Sequence, residues 1–171
     1  IKVIVNNSDG RGNSYGGHVN FLITRRCFDN IFSRKLHHML FLATHLTSSI
    51  VFTGAGKVGS ENGRPHAPFQ LAQRADFYER LTGIQTTFNR PIVNSRDESL
   101  CGPRRLSFGA ETADDDMARL HVIFFDSNLC HVASLLKIGT TQIVLAMIEQ
   151  GVVDPALILD DPVSALLTWS H

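Results

Sequence analysis

Gly16-Gly17-His18-Val19-Asn20-Phe21-Leu22-Ile23 and Arg119-Leu120-His121-Val122-Ile123-Phe124-Phe125-Asp126 are the two stretches on which the fold turns. Both read as β-strands, on which side chains two residues apart share a face. His18 and Asn20 therefore project together, as do Arg119 and His121. Val19, Leu120, Val122 and Phe124 project the other way, toward an apolar layer. Burying His, Asn, Arg and His on one sheet face without partners is costly. The bland reading of a lone strand histidine is a satisfied polar residue, but two such pairs, one following a glycine-rich loop, point to a ligand. A metal ion with a phosphorylated molecule satisfies all four. Imidazole can join the oxygens around Mg²⁺, asparagine both donates and accepts, and arginine grips phosphate with two parallel bonds. His18 and His121 then face the metal, and Asn20 and Arg119 the nucleotide. Zinc on His18, His121 and a third residue stays open, although no HExxH or CxxC accompanies them.

Outward from these strands, Asn6 to Gly17 is dense in turn residues and reads as a loop, after a strand over Lys2 to Val5. Phe32 to Ser48 has a helical stripe of Leu36, Met39, Leu40, Ala43 and Leu46. Ile50 to Phe52, Phe69 to Arg74 and Pro91 to Asn94 read as short strands, and Ser99 to Ala118 as a loop. Ala133 to Gln150 is the strongest helix, with Leu135, Leu136, Thr140, Ile143, Val144 and Met147 expected inside and Gly151 as its stop. Asp161-Pro162 opens a last helix as N-cap and first helical residue. Strands and helices mix without a βαβ rhythm, which favours an α+β fold with a largely antiparallel sheet.

The chain has 171 residues, one domain or part of one, with 16 Lys and Arg against 16 Asp and Glu. That balance argues against a nucleic-acid binder relying on bulk positive charge. No apolar run reaches spanning length, so no membrane contact is expected. Cys27, Cys101 and Cys130 are unpatterned and read as free thiols in a reducing compartment, the cytoplasm. The chain opens on Ile1-Lys2-Val3-Ile4-Val5 and stops at Trp169-Ser170-His171, which suggests a fragment of a larger protein.

Three further features are weighed against plainer readings. Gly54-Ala55-Gly56-Lys57-Val58-Gly59 could cradle phosphate, but it does not match the Walker pattern and a plain turn is the simpler account. Asn94-Ser95-Arg96-Asp97-Glu98 is a solvated ion-paired turn unless Arg96 enters the site as an anion clamp. Asp114-Asp115-Asp116 reads as a solvated acidic run, and His37, His38 and His45 as surface residues of a helix.

The order Asn6-Asn7-Ser8-Asp9 through Ser14-Tyr15-Gly16-Gly17-His18-Val19-Asn20-Phe21-Leu22 is distinctive. It continues with Thr53 to Gly59, Phe69-Gln70-Leu71-Ala72-Gln73-Arg74-Ala75-Asp76, Asn94 to Glu98, Arg119 to Ile123, Asp126-Ser127-Asn128 and Leu136-Lys137-Ile138-Gly139-Thr140-Thr141. This series resembles the family of the Pup ligase and the Pup deamidase/depupylase, enzymes of bacterial pupylation, and corresponds to a central part of those proteins. The resemblance implies a glutamine-synthetase-like catalytic domain, of which residues 1–171 are the central part: a curved, mostly antiparallel sheet packed by helices. It implies ATP and Mg²⁺ as cofactors, with His18 and His121 as magnesium ligands and Asn20 and Arg119 as ATP contacts. Arg96 is the candidate anion stabiliser. Pup and pupylated proteins are the implied partners.

Phe69 to Arg74 and Thr82 to Thr87 are more similar to the depupylase branch, which hydrolyses the Pup–lysine isopeptide bond and deamidates the Pup C-terminal glutamine. Pro91 to Asn94 leans toward the ligase, which forms that bond. The family's carboxylate metal ligands and catalytic Asp would lie upstream of Ile1, so the chain alone is expected to be inactive. Two departures stand out. Val19 replaces a usual Glu, which leaves a catalytically weak relative that only binds Pup or nucleotide as a further alternative. Ser99-Leu100-Cys101 opens a longer loop where the family has Pro-His.

Overall fold

The two strands expected from alternation form one antiparallel pair. In a computed structural model describing residues 1–2, 4–98 and 116–171, β1 (Val19–Thr24) lies beside β4 (Met117–Val122), with Asn20 opposite His121, Leu22 opposite Arg119 and Phe21 opposite Leu120. Phe21, Ile23, Leu120 and Val122 are buried on one face, whereas Asn20 and Leu22 are exposed on the other. This is the pleat carrying out the alternation of the sequence.

Around the pair run α1 (Arg25–Asp29), a π-helical turn (Asn30–Arg34), α2 (Leu36–Ser48), α3 (Ile50–Thr53), β2 (Tyr78–Gly83), β3 (Arg90–Asn94), α4 (His131–Gln150) and α5 (Pro162–Ser170). The class is α+β. β2 and β3 pair in parallel, and their register slips between Tyr78 and Arg80, where Pro91 has no N–H to offer the ladder. β3 is buried along its whole length. The core joins Leu42, Leu46, Ile92, Phe125, Ile148 and Leu166 from α2, β3, the segment after β4, α4 and α5. Each such side chain contributes roughly 1.5–3 kcal/mol through burial.

Several expectations need correction. Residues 2, 4 and 5 form no strand, and Val3 lies outside the described residues. Ile50–Thr53 is helical: it continues from α2, with Thr53 N–H bonded to the Ser49 carbonyl at 2.9 Å. Residues 69–74 hold a single bridge between Lys57 and Gln70, because Gln73 N–H and the Arg74 side chain bond to other segments. The stretch after Val122 leaves strand geometry because the carbonyls of Ile123, Phe124 and Phe125 turn to Arg74 and Tyr78. Residues 99–115 of the expected loop, Cys101 included, lie outside the described residues.

α4 buries Ala133, Lys137, Thr141, Leu145 and Ile148; of the expected stripe Val144 and Met147 pack against the core, whereas Leu135, Leu136 and Ile143 are exposed. Lys137 reaches the Asp126 carbonyl at 2.8 Å and Thr141 meets His45 at 3.1 Å, so hydrogen bonds outweigh hydrophobicity in choosing the inner face. By length and composition alone, this 20-residue helix is long and apolar enough to cross a membrane. Gly151 does stop it in the left-handed conformation, and the Asp161 carboxylate caps α5 at Val163 and Ser164 N–H.

Two of the three histidines on α2 are not surface residues. His38 is buried, and His45 is partly buried, its imidazole pushed down to about 4 by burial. An unfolded imidazole protonates near about 6.5. The unfolded chain therefore takes the proton first, and stability tied to neutral His45 is intact above about pH 6.5 and lost as pH falls toward 4. The melting temperature is expected to drop across this window, less steeply in His45→Gln. Equal slopes for the two proteins would remove His45 from the acid response.

Candidate functional site

His18, just before β1, and His121, on β4, sit diagonally across the pair, as do Asn20 and Arg119. Diagonal positions in an antiparallel pair are about 7–8 Å apart, a gap that long side chains bridge. His121 Nε2 lies 3.3 Å from His18 Nδ1, with the ring centroids 5.1 Å apart. Arg119 Nη1 donates to Asn20 Oδ1 at 3.1 Å, and Arg119 Nε donates to the Glu98 carbonyl at 2.7 Å. Arg96 Nε stands 3.6 Å from Glu98 Oε1. All five residues singled out from the sequence thus belong to one neighbourhood.

The electrostatics of this face are one-sided. Burial, then His18, Arg119 and Arg96, push the His121 imidazole down to about 4 against a smaller opposing effect of Glu98. Burial, Arg74 and Arg90 lower His18 as well. Both rings are therefore neutral at pH 7 and keep a nitrogen lone pair. His121 Nδ1 is buried without a hydrogen-bond partner.

Neutral imidazoles at this separation fit a shared cation, since metal–nitrogen bonds of about 2.0–2.1 Å place two ligands roughly 3 Å apart. Among the described residues no group of three or more His, Cys, Asp or Glu side chains gathers here or elsewhere. A zinc site of His18, His121 and a third such residue accordingly has no third ligand among them. The neighbouring guanidinium groups disfavour a bare divalent ion but favour one that arrives with phosphate, the usual habit of Mg²⁺.

Two arginines that sequence reasoning did not assign to the site extend it. A cleft of about 570 Å³ opens beside His18, lined by Ser14, Gly16, Arg74, Thr86 and Arg90. Arg74 is 2 % exposed. Its Nε donates to Ser14 Oγ at 3.0 Å, and Nη1 donates to the carbonyls of Ile123 and Phe125 at 2.6 and 3.0 Å. Arg90 Nε donates to the Thr86 carbonyl at 2.8 Å and Nη2 to the Ser14 carbonyl at 3.0 Å. Neither has an ion-pair partner within 4 Å among the described residues; the nearby carboxylates of Glu79 and Asp126 act on Arg90 and Arg74 only from a distance. Gly16 is required here: its φ is +153°, and a Cβ would collide with the Arg74 guanidinium. The sequence signal was an arginine amid apolar residues, but the carbonyls it serves lie some fifty positions away.

Other candidates fall outside the site. Lys57 of the glycine-rich turn is engaged, with Nζ 2.8 Å from Asp76 Oδ2 and 3.2 Å from Glu61 Oε2, so it is committed to an internal ion pair. Val19 is half-buried and packs on the core, across the sheet from His18 and Asn20. Cys27 is buried, its thiol pushed up to about 12 by burial, and Cys130 is exposed.

The Pup-ligase protein family matches residues 1–171. A depupylase of Acidothermus cellulolyticus is 41 % identical over 173 residues, which span 100 % of this chain and 31 % of that protein. The Pup deamidase/depupylase of Mycolicibacterium smegmatis is 39 % identical, over 97 % of this chain and 30 % of its own length. The Pup–protein ligase of Paenarthrobacter aurescens is also 39 % identical, over 100 % of this chain and 34 % of its own. Among solved structures, the Pup ligase PafA in complex with ADP superposes with a TM-score of 0.65 at 29 % identity, covering 99 % of this chain and 34 % of that one. The chain thus spans about a third of the length of the relatives it matches.

Proposed function

The chain belongs to the Pup-ligase protein family, and from that premise we propose that it serves a nucleotide- and Mg²⁺-dependent enzyme of pupylation that hydrolyses the Pup–lysine isopeptide bond or deamidates the Pup C-terminal glutamine. The observation that carries this reading is the convergence of the His18–His121 and Asn20–Arg119 pairs on one sheet face. Relatives named depupylase and Pup deamidase/depupylase support the hydrolytic branch, and a relative of known structure holds ADP.

In this reading the rings of His18 and His121 would hold the magnesium ion, which would supply charge neutralisation for the nucleotide phosphates. Asn20 and the Glu98 carbonyl hold Nη1 and Nε of the Arg119 guanidinium, leaving Nη2 for phosphate oxygens. Arg96 stabilises negative charge that develops on the reacting group. The Arg74–Arg90 cleft takes an anionic group of the Pup terminus. Hydrolysis adds water across the amide: the C–N bond breaks, the carbonyl carbon gains oxygen, and the lysine amine leaves with a proton. No described residue of this chain is assigned the attacking or base role.

The ligase is the second reading, favoured by the 39 % identical Pup–protein ligase. A weak binder lacking catalysis is disfavoured by Val19, whose side chain faces away from the site, so its departure from Glu removes nothing from that face. The full-length protein that carries this chain is incubated with a pupylated substrate, Mg²⁺ and ATP. Release of free Pup is expected; conjugation of Pup ending in glutamate would transfer the assignment to the ligase, and inertness in both assays would reject an enzyme.

A further inference from the structure

Arg96 and Glu98 lie beyond the last ladder contact of β3, so something else must hold them beside His121. Ser95 N–H still bonds to the Gly83 carbonyl at 2.9 Å, and Arg96 N–H turns back onto Asn94 Oδ1 at 3.1 Å. Further on, among the described residues, Asp97 Oδ2 ties the segment to α1, 2.8 Å from Arg25 Nη1, and Arg119 Nε ties the Glu98 carbonyl to β4. Arg25 is well placed to act as an anchor. It opens α1 directly after β1, its guanidinium lies 4.4 Å above the Phe28 ring, and its Nε is 3.3 Å from Asp29 Oδ1. The corner before it is fixed from α4: Glu149 Oε1 accepts from Thr24 N–H at 2.9 Å and from Thr24 Oγ1 at 3.0 Å.

We propose that Arg25 is a positioning residue: through Asp97 it sets where Arg96 stands and where the Glu98 carbonyl meets Arg119, and so aims both guanidiniums at the anion. The idea rests on the reading of Arg96 and Arg119 as anion contacts. The Arg119 Nε bond to the Glu98 carbonyl couples the two arginines. A segment freed at Asp97 therefore misdirects Arg119 as well as Arg96, although Arg25 touches neither.

The test uses the full chain with Mg²⁺–ADP as the probe in calorimetric titrations, and amide hydrogen exchange over residues 94–98 without ligand. Arg25→Met and Asp97→Asn are each expected to weaken binding roughly fivefold, the double variant no further, and Asp29→Asn by less than about twofold, as coupled and uncoupled sites behave. Exchange over 94–98 is expected to accelerate in Arg25→Met and Asp97→Asn but not in Asp29→Asn, which removes a different partner of the same guanidinium. Equal behaviour of all three variants, or no change in the first two, overturns the proposal. A wild-type chain that binds no Mg²⁺–ADP overturns the nucleotide reading instead, and exchange at 94–98 then decides the positioning claim.

Discussion

Replacing Arg74 by leucine is expected to lower stability by about 3 kcal/mol, since hydrogen bonds from a charged group contribute about 1.5–3 kcal/mol each. The arginine is 2 % exposed, and one terminal nitrogen serves the carbonyls of Ile123, Phe124 and Phe125. Its Nε also holds Ser14 of the loop that precedes β1. Leucine fills part of the space but removes this donor from all three carbonyls, leaving Phe125 to Gly17 N–H and Ile123 and Phe124 to the Tyr78 hydroxyl. Total stabilities of small domains are about 5–15 kcal/mol, so such a loss is a large share. Arg74→Lys keeps the charge but not the fork, and should fall between the two. Urea unfolding followed by circular dichroism measures this. An Arg74→Leu protein within about 0.5 kcal/mol of wild type, the level of a neutral surface change, would rule out Arg74 as the tie between loop and strand end.

His121→Ala in the full-length protein is expected to lower Pup release by about a hundredfold or more, since even indirect partners of a metal cost 10–100-fold when lost. The fold should survive. Among the described residues the ring hydrogen-bonds His18 alone and its Nδ1 has no partner, so its removal orphans no described backbone group. His18→Ala should show a similar deficit. Arg119→Ala should raise the nucleotide KM as well, because that side chain contacts the ligand directly in this reading. Rates are measured at matched folded fractions. An unchanged rate in His121→Ala would exclude the imidazole from the reaction.

Much of the site was legible because period two is a strict rule: once two strands are recognised, the faces of His18, Asn20, Arg119 and His121 follow. Their diagonal meeting also needed the register, which no local pattern supplies. Arg74 and Arg90 were not legible as site residues, since their partners are backbone carbonyls brought near by tertiary folding. The inner face of α4 misled for a related reason. Periodicity counts apolar residues, whereas Lys137 and Thr141 are drawn inward by the Asp126 carbonyl and His45. His38 and His45 were read as surface residues because an isolated histidine reveals nothing of its neighbours. Ile50 to Phe52 has the β-branched composition of a strand, yet the Ser49 carbonyl just past α2 accepts from Phe52 and Thr53 N–H and carries a helical turn through it.

The central claim is that both imidazoles meet the metal that accompanies the nucleotide. Mn²⁺ shares the oxygen-rich preference of Mg²⁺ and is paramagnetic. Pulsed electron paramagnetic resonance of Mn²⁺–ADP bound to the chain therefore reads the ligands directly. The account expects nitrogen couplings from two imidazoles, one lost in His121→Ala and one in His18→Ala. Bound Mn²⁺–ADP without imidazole coupling would contradict it.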